Sequence, residues 1–186
     1  MFRLHQIFWK LRLAGSLAAI ILLLAAFVPV DWKLSSSAVT FKIKHAGLVV
    51  NGSLAGTQID IYFDPAYLAQ SSIVASLEAA TIETGIALRN KHLRKELYLH
   101  VEKYPRIKMR STKIEKTGNN TYLGYFDLTI KETTKNIQVP FTFTENANGG
   151  DFKGEFTINR LDYKVGESNW LMDNQVTISI QINVTR

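Results

Sequence analysis

Apolar and polar residues alternate along most of the chain after residue 31. This period of two is typical of β-strands that bury one face and expose the other. The final run is the clearest: Val176, Ile178, Ile180, Ile182 and Val184 alternate with polar residues. Comparable runs begin near residues 39, 59, 73, 107, 122, 137 and 152. The pattern predicts about eight strands, joined mostly by short turns.

No recurrent helices separate these predicted strands, so the sheet must be mainly antiparallel. An up-and-down barrel and a two-sheet sandwich both fit that description. A barrel of about eight strands has an interior that side chains fill or that holds one ligand. A regular sandwich needs no helix over one end, and this chain has one candidate helix. We therefore predict an all-β fold, an antiparallel barrel of about eight strands in one domain over residues 31–186.

The alternation stops for one long interval, between Thr84 and Pro105. Thr84 and Gly85 end a strand, and from Asn90 onward the apolar residues fall at helical spacing. These apolar residues are Leu93, Leu97 and Val101. The spacing predicts one short helix, which we place across an open mouth of the barrel.

Several short motifs occur in a characteristic order around this interval. They are Phe41-Lys42-Ile43-Lys44-His45, Gly52 with Gly56, Phe63-Asp64-Pro65, Thr84-Gly85, Arg89-Asn90-Lys91-His92-Leu93, Tyr104-Pro105, Leu128-Thr129-Ile130, Thr133-Thr134, and Arg160-Leu161-Asp162-Tyr163 before Gly166. In this order the chain resembles the YceI-like family of lipocalin-like, polyisoprenoid-binding proteins, from about Asp31 to the C-terminus. The resemblance implies a barrel with a tunnel for a polyisoprenoid tail, such as that of a quinone or a polyprenyl lipid.

Three positions depart from the family pattern. Asn90 stands where Asp is usual, Glu132 where Gly is usual before the Thr pair, and Leu54 where Phe is common. The first departure matters most, because Asn90 cannot supply the negative charge that a carboxylate beside Arg89 would supply.

The first thirty residues form a segment of a different kind. Arg3, Lys10 and Arg12 precede an uncharged apolar run over residues 13–28, which is typical of an export or membrane signal. The run is short for a spanning helix, which favours a cleaved signal peptide. A small-x-small cleavage site is lacking and Trp9 and Trp32 bracket the run, which favours an anchor over residues 11–30. Both alternatives predict that residues 31–186 lie outside the cytoplasm, in the periplasm or held at the inner membrane.

Composition narrows the function classes further. The net charge is +6, and removing the three basic residues of the N-terminal segment leaves 6 − 3 = +3. That charge is mild and dispersed, so we predict no nucleic-acid partner. The sequence has no cysteine, which excludes disulfides, zinc–thiolate sites, thiol catalysis and a lipid-modified cysteine. It also lacks a G-x-S-x-G elbow, a Gly-rich phosphate loop and an H-E-x-x-H motif.

The inward faces of the predicted strands are the candidate binding surface. Their side chains are mostly Phe, Ile, Val and Leu, so a cavity between them selects a long hydrocarbon by shape and apolar area. The predicted ligand-binding residues are Phe41, Ile43, Ile59, Ile61, Phe63, Ala75, Leu77, Met109, Phe126, Leu128, Val139, Phe141, Phe156, Ile158, Ile178 and Ile180. With them we predict a non-catalytic carrier or sequestering protein for a long isoprenoid lipid, without a cofactor. An anchor would hold this barrel close to the bilayer, where the ligand could be exchanged.

Polar residues near the predicted helix complete the candidate site. We assign Thr84, Arg89 and His92 to the barrel mouth, where Arg89 either contacts the ligand or holds the helix. His45 is predicted to be a hydrogen-bonded rim residue, and Arg160 to form a structural ion pair with Asp162.

The predicted helix also carries two histidines and a glutamate, which are residue types that bind metals. His92, Glu96 and His100 follow one another at helical spacing, but no further strong ligand accompanies them. We therefore interpret them as a solvated helix face and predict no metal site.

Two other functions stay open on the sequence alone. A barrel with a filled interior would serve a structural or partner-binding role, including a homodimer, and would show an exposed apolar patch or sheet edge. An enzyme acting on an isoprenoid lipid would lose turnover, but not stability, when His92 or His45 is changed.

Overall fold

The computed structural model describes residues 30–186. The predicted signal peptide or anchor lies outside the described residues, apart from Val30. Within the described range, no helix combines the length and the hydrophobicity that crossing a bilayer requires.

Eight antiparallel strands form a closed barrel. Each strand pairs with the next one along the chain, and the last strand pairs with the first. The strands are β1 (Asp31–His45), β2 (Leu48–Tyr62), β3 (Ser72–Glu83), β4 (Arg106–Gly118), β5 (Thr121–Ile130), β6 (Thr133–Asn146), β7 (Gly149–Asn159) and β8 (Gln175–Thr185). Two 3₁₀ turns, Leu68–Gln70 and Arg160–Tyr163, complete the fold with one α-helix. The predicted all-β barrel is confirmed.

The helix α1 (Ala87–Leu93) is shorter than the apolar spacing predicts. After Leu93 the backbone forms a series of tight turns, in which the amide of Leu99 donates to the carbonyl of Leu93 and His100 has a φ of 46°. These turns bury Leu99 without a continuous helix. His92, Glu96 and His100 therefore do not share a helix face, and the described residues hold no cluster of three metal-ligating side chains.

One end of the barrel is closed by aromatic side chains. We call this cluster the aromatic plug; it consists of Trp32, Phe63, Tyr122, Phe143 and Phe152, all buried. The ring of Phe63 lies at its centre, with centroid distances of 5.0 to 5.3 Å to Phe143, Tyr122 and Phe152. The indole of Trp32 donates a hydrogen bond of 2.8 Å to the carbonyl of Phe63. Edge-to-face packing of this kind makes a solid base for the barrel.

The opposite end carries α1 and is the mouth. The β1–β2 hairpin, the end of β3, the start of β4 and the loop before β8 all lie there. Asp31, which pairs with Tyr62, enters the barrel at the plug end. An anchor that ends at Val30 would therefore hold the plug, and not the mouth, next to its own bilayer. The predicted exchange of ligand with that bilayer does not follow from this topology.

Candidate functional site

A cavity of about 550 Å³ occupies the barrel between the aromatic plug and α1. Its volume lies within the range of about 300–1,000 Å³ that small-molecule sites occupy. Its wall extends from Val176 to Ile182 on β8, a separation of six residues that corresponds to about 20 Å along a strand. The space is long and its wall is predominantly apolar, as a hydrocarbon chain requires.

The exposure of inward-facing residues shows that the lumen is hollow. Near the plug, Ile61 and Phe63 are each 1% exposed. In the middle of the barrel, Ile178, Ile180 and Met109 also face inward, yet they remain only half-buried. Because these side chains point away from bulk solvent, their accessible surface faces the cavity. The packed-interior alternative therefore fits the plug end and not the middle of the barrel.

Fifteen of the sixteen predicted ligand-binding residues line this cavity. They are Phe41, Ile43, Ile59, Ile61, Ala75, Leu77, Met109, Phe126, Leu128, Val139, Phe141, Phe156, Ile158, Ile178 and Ile180. Phe63 does not line it, because its ring is enclosed by the other aromatic rings of the plug. Whether these residues contact a ligand stays a prediction.

A glycine makes room for one of these side chains. Gly52 lies opposite Phe41 in the β1–β2 pair. A Cβ atom at Gly52 would lie 2.2 Å from Cζ of Phe41, so the ring occupies the space that a side chain at position 52 would need.

Most of the other apolar lining residues are of two kinds, which were not among the predicted ligand-binding residues. The first kind shares the strand parity of the predicted residues, which was a usable signal; examples are Val39, Ile107 and Val176. The second kind comes from the helix and the loops at the mouth, where no two-residue period exists. It consists of Ile86, Leu88, Leu93, Tyr98, Leu99, Val165 and Met172.

Thr84, Arg89 and His92 all lie at the mouth and line the cavity. Arg89 donates from Nε to the hydroxyl of Thr84 at 2.7 Å and from Nη2 to the carbonyl of Thr84 at 2.5 Å. These bonds tie α1 to the end of β3. The other terminal nitrogen of Arg89, Nη1, donates to no acceptor within residues 30–186. Arg89 thus combines a structural bond with a free donor at the cavity mouth.

Asn90, the next residue, is buried. Its hydrogen bonds explain why an amide suits this position, where Asp is usual in the family. Its Oδ1 accepts hydrogen bonds from the backbone amide of Thr84 at 2.9 Å and from the hydroxyl of Thr84 at 2.6 Å. Its Nδ2 donates to Oε1 of Glu83 at 2.7 Å. A carboxylate at position 90 would face the Glu83 carboxylate instead of donating to it. In this chain the side-chain amide of Asn90 therefore suits the carboxylate of Glu83, because it can donate a hydrogen bond to it.

Several donors act on the Glu83 carboxylate. The amide of Asn90, followed by the backbone amide of Gly85, lowers the pKa of Glu83 from its ordinary value. A carboxyl with a lowered pKa stabilises the fold above its unfolded pKa, and this contribution is lost as the pH falls through the folded value. The ionised form of Glu83 thus helps to hold the start of α1 near neutral pH.

We expect Asn90→Asp to lower the melting temperature by several degrees at pH 7, because two carboxylates would then lie within hydrogen-bonding distance. Repulsion raises the pKa of the pair in the folded state, so the loss should shrink as the pH falls and one carboxyl takes up a proton. Thermal unfolding at pH 7 and at pH 4.5 measures both effects. Asn119→Asp, in an exposed turn, is the control. A melting temperature for Asn90→Asp equal to that of the control at both pH values would contradict the expected repulsion.

Arg160 does not form the predicted ion pair with Asp162. Its buried guanidinium donates instead to the carbonyls of Asp173, Val165 and Glu167 and to the side chain of Asn174, at 2.8 to 3.0 Å. Burial lowers the pKa of Arg160 from its ordinary value. Its role is to hold the loop between the second 3₁₀ turn and β8 at the mouth.

The predicted rim residue His45 lies where β1 ends. It lines the cavity and forms an isolated β-bridge with Met172. This bridge joins the β1–β2 hairpin to the loop that Arg160 holds.

The family model of the YceI-like domain matches residues 31–184. The chain belongs to the YceI-like family. The match spans the whole barrel from β1 to β8, and the family resemblance drawn from the sequence motifs is confirmed.

Curated relatives of this YceI-like chain are bacterial. It is 31% identical over 166 residues to a UPF0312 protein of Pseudomonas syringae pv. tomato, a match that covers 83% of this chain and 85% of the relative. It is 28% identical over 163 residues to a UPF0312 protein of Vibrio cholerae, covering 83% and 86% of the two chains.

Solved structures share the fold. BcnA of Burkholderia cenocepacia is similar with a TM-score of 0.78 and 26% identity, over 83% of this chain and all of that one. The YCEI protein of Campylobacter jejuni gives 0.68 and 23% identity, over 74% and 85% of the two chains. A polyisoprenoid binding domain from Saccharophagus degradans gives 0.64 and 12% identity, over 83% and 97%.

Proposed function

We propose that this YceI-like barrel binds a long apolar lipid, of polyisoprenoid or prenylquinone type, as a non-catalytic carrier or sequestering protein outside the cytoplasm. The hollow, apolar lumen of about 550 Å³ carries the proposal. The polyisoprenoid-binding name of a structural neighbour supports it. The basic N-terminus followed by an apolar run supports the location.

The lumen favours hydrocarbon over polar ligands. Each CH₂ group that moves from water into an apolar cavity contributes on the order of 0.8 kcal/mol. Ten such groups contribute roughly 8 kcal/mol before the cost of ordering the ligand is subtracted. A small polar metabolite would lose its hydrogen bonds to water and gain few in return.

The head group of the lipid belongs at the mouth. The aromatic plug closes the other end, so the tail points toward Phe63 and the polar end stays near α1. Arg89 offers its free Nη1 donor there, and His92 is exposed beside it. These groups suit an oxygen-bearing head group such as a quinone carbonyl, a hydroxyl or a phosphate.

Organic extraction of the purified full-length protein, followed by mass spectrometry, tests the proposal. We expect a prenyl or other long-chain lipid in near-stoichiometric amount. A lipid recovered equally from an unrelated exported protein prepared in parallel would be a contaminant. Repeated absence of any such lipid, together with no uptake of a lipophilic fluorescent dye, would contradict carriage.

A further inference from the structure

Exposed hydrophobic side chains concentrate at the mouth of the barrel. Seven of the ten large hydrophobic residues that are exposed within residues 30–186 lie at this end. We call six of them the mouth rim: Leu48, Val49, Ile86, Leu88, Trp170 and Leu171. Trp170 is 92% exposed and Leu48 is 73% exposed. Apolar side chains grouped in this way on a monomer mark a surface that another apolar phase covers.

A backbone hydrogen bond connects two parts of the mouth rim. The amide of Ala46, in the β1–β2 hairpin, donates to the carbonyl of Leu171 at 2.6 Å. This bond fixes Trp170 and Leu171 beside Leu48. On the other side of the opening, Ile86 and Leu88 line the cavity although they are 52% and 64% exposed. The apolar surface of the rim is thus continuous with that of the lumen.

The mouth of the barrel, where the rim lies, is also positively charged. Residues 87–104, which contain α1 and the turns after it, hold five Lys or Arg and two Glu, a net charge of 5 − 2 = +3. This equals the net charge of the whole barrel after the N-terminal segment is removed. Lys91 and Lys95 are exposed, and their ammonium groups form no hydrogen bond or ion pair with any other described residue. Free lysine ammonium groups at the same end of a protein as exposed Trp and Leu side chains are typical of proteins that bind anionic lipid surfaces.

We propose that the mouth rim docks onto an anionic lipid bilayer, so that the lumen opens directly into the leaflet. The inference deepens the proposed function and rests on it for its purpose, which is transfer of the lipid without exposure to water. Trp170 and Leu48 enter the interfacial region, where indole rings are favoured. Lys91 and Lys95 contact the lipid phosphates.

The chain topology limits docking to certain bilayers if the N-terminal segment is retained. Asp31 enters at the plug, and β1 spans 15 residues, which corresponds to roughly 35 Å along a barrel whose strands tilt by about 40°. The rim therefore faces away from any bilayer that holds residues 11–30. If that segment is retained, docking occurs on a second, opposing bilayer; if it is cleaved, either bilayer is accessible.

A site-specific fluorophore on the full-length chain tests the proposal. Because the chain has no cysteine, Leu48→Cys at the rim and Asn119→Cys at the plug end each accept one environment-sensitive label. The labelled proteins are placed in zwitterionic nanodiscs, which shield the N-terminal segment, and vesicles of phosphatidylcholine with or without phosphatidylglycerol are added. We expect a blue shift at position 48 with phosphatidylglycerol vesicles only, and none at position 119. No shift at position 48, or equal shifts at both positions or with both vesicles, would overturn docking.

Charge variants test the electrostatic part. Each basic residue near an anionic leaflet strengthens binding about fivefold, so Lys91→Gln with Lys95→Gln should weaken vesicle binding roughly 25-fold. Arg110→Gln with Lys116→Gln, at two exposed positions of β4 that lie further from the mouth, should leave it unchanged. Equal vesicle binding by the two double variants would overturn the role of Lys91 and Lys95. A concentration-dependent shift at position 48 without vesicles would indicate that the rim binds a second copy of the chain, and it would overturn docking onto a bilayer. The lipid extraction described above distinguishes the two proposals. If lipid is recovered but the protein does not bind vesicles, only the docking inference is overturned. If the protein binds vesicles but no lipid is recovered, lipid carriage is overturned.

Discussion

Replacing Ile178 by Trp is expected to reduce binding of a long lipid by at least a hundredfold, with a change of about 1 kcal/mol or less in the free energy of unfolding. Ile178 lies in the middle of β8, between Phe41 of β1 and Phe156 of β7, and all three line the cavity. The indole has empty space to enter, because Ile178 is only half-buried although it faces inward. An indole there obstructs the tunnel without the strain that a filled core would impose.

Ile61→Trp is the matched control. Ile61 also faces inward, but it is 1% exposed and lies against the aromatic plug, where its strand neighbour is Trp32. The same enlargement at this position overpacks the barrel and should destabilise it by roughly 1–3 kcal/mol or more. Chemical denaturation of both variants gives the free energies, and displacement of a lipophilic dye gives the binding. A destabilisation of Ile178→Trp as large as that of Ile61→Trp would mean that the lumen is filled.

Residue parity was sufficient to predict most of the barrel wall. In an antiparallel barrel every second residue of a strand faces inward, so the alternation in β5 and β8 identified Phe126, Leu128, Ile178 and Ile180 without any knowledge of their neighbours. The alternation shows that a residue faces inward, but it does not show how far along the barrel axis the residue lies. For this reason Phe63 was assigned to the ligand, whereas it lies within the aromatic plug.

Local irregularities limited the rest of the prediction. The pairing of β2 with β3 shifts register around Ala55, next to Gly56 with its φ of +68°, so no simple alternation marks the first half of β2. The helical spacing after Leu93 arose from turns that bury Leu99. In both places, contacts distant in the sequence determine the backbone.

The polar contacts of the mouth were the least predictable part. Opposite charges two residues apart suggested that Arg160 pairs with Asp162. Arg160 instead donates mainly to backbone carbonyls of a loop, which lie up to 13 residues away in the sequence. Carbonyl groups carry no sequence signal, because every residue has one.

Arg160→Lys is expected to destabilise this loop strongly. The planar guanidinium of Arg160 donates four hydrogen bonds to the loop, from Nε, Nη1 and Nη2. An ammonium group has at most three donors, and their geometry does not reproduce the fork of a guanidinium. Arg160 is 3% exposed, so its guanidinium shields the acceptors from water on the side where it contacts them. Each unsatisfied group of this kind costs about 1–3 kcal/mol, and we expect a total loss of roughly 3 kcal/mol.

Arg160→Lys should loosen the loop before β8 more than it loosens the rest of the barrel. Amide hydrogen exchange should accelerate first in residues 164–174, whose carbonyls Arg160 holds, while amides in the middle of β5 and β6 change little. Arg110→Lys, at an exposed position on β4, preserves the same charge and should leave both exchange and stability unchanged. Because Trp170 and Leu171 belong to this loop, Arg160→Lys should also weaken vesicle docking while the lumen still takes up a lipophilic dye. Unchanged exchange in the loop would mean that its conformation depends on the bridge between His45 and Met172 and not on the buried arginine.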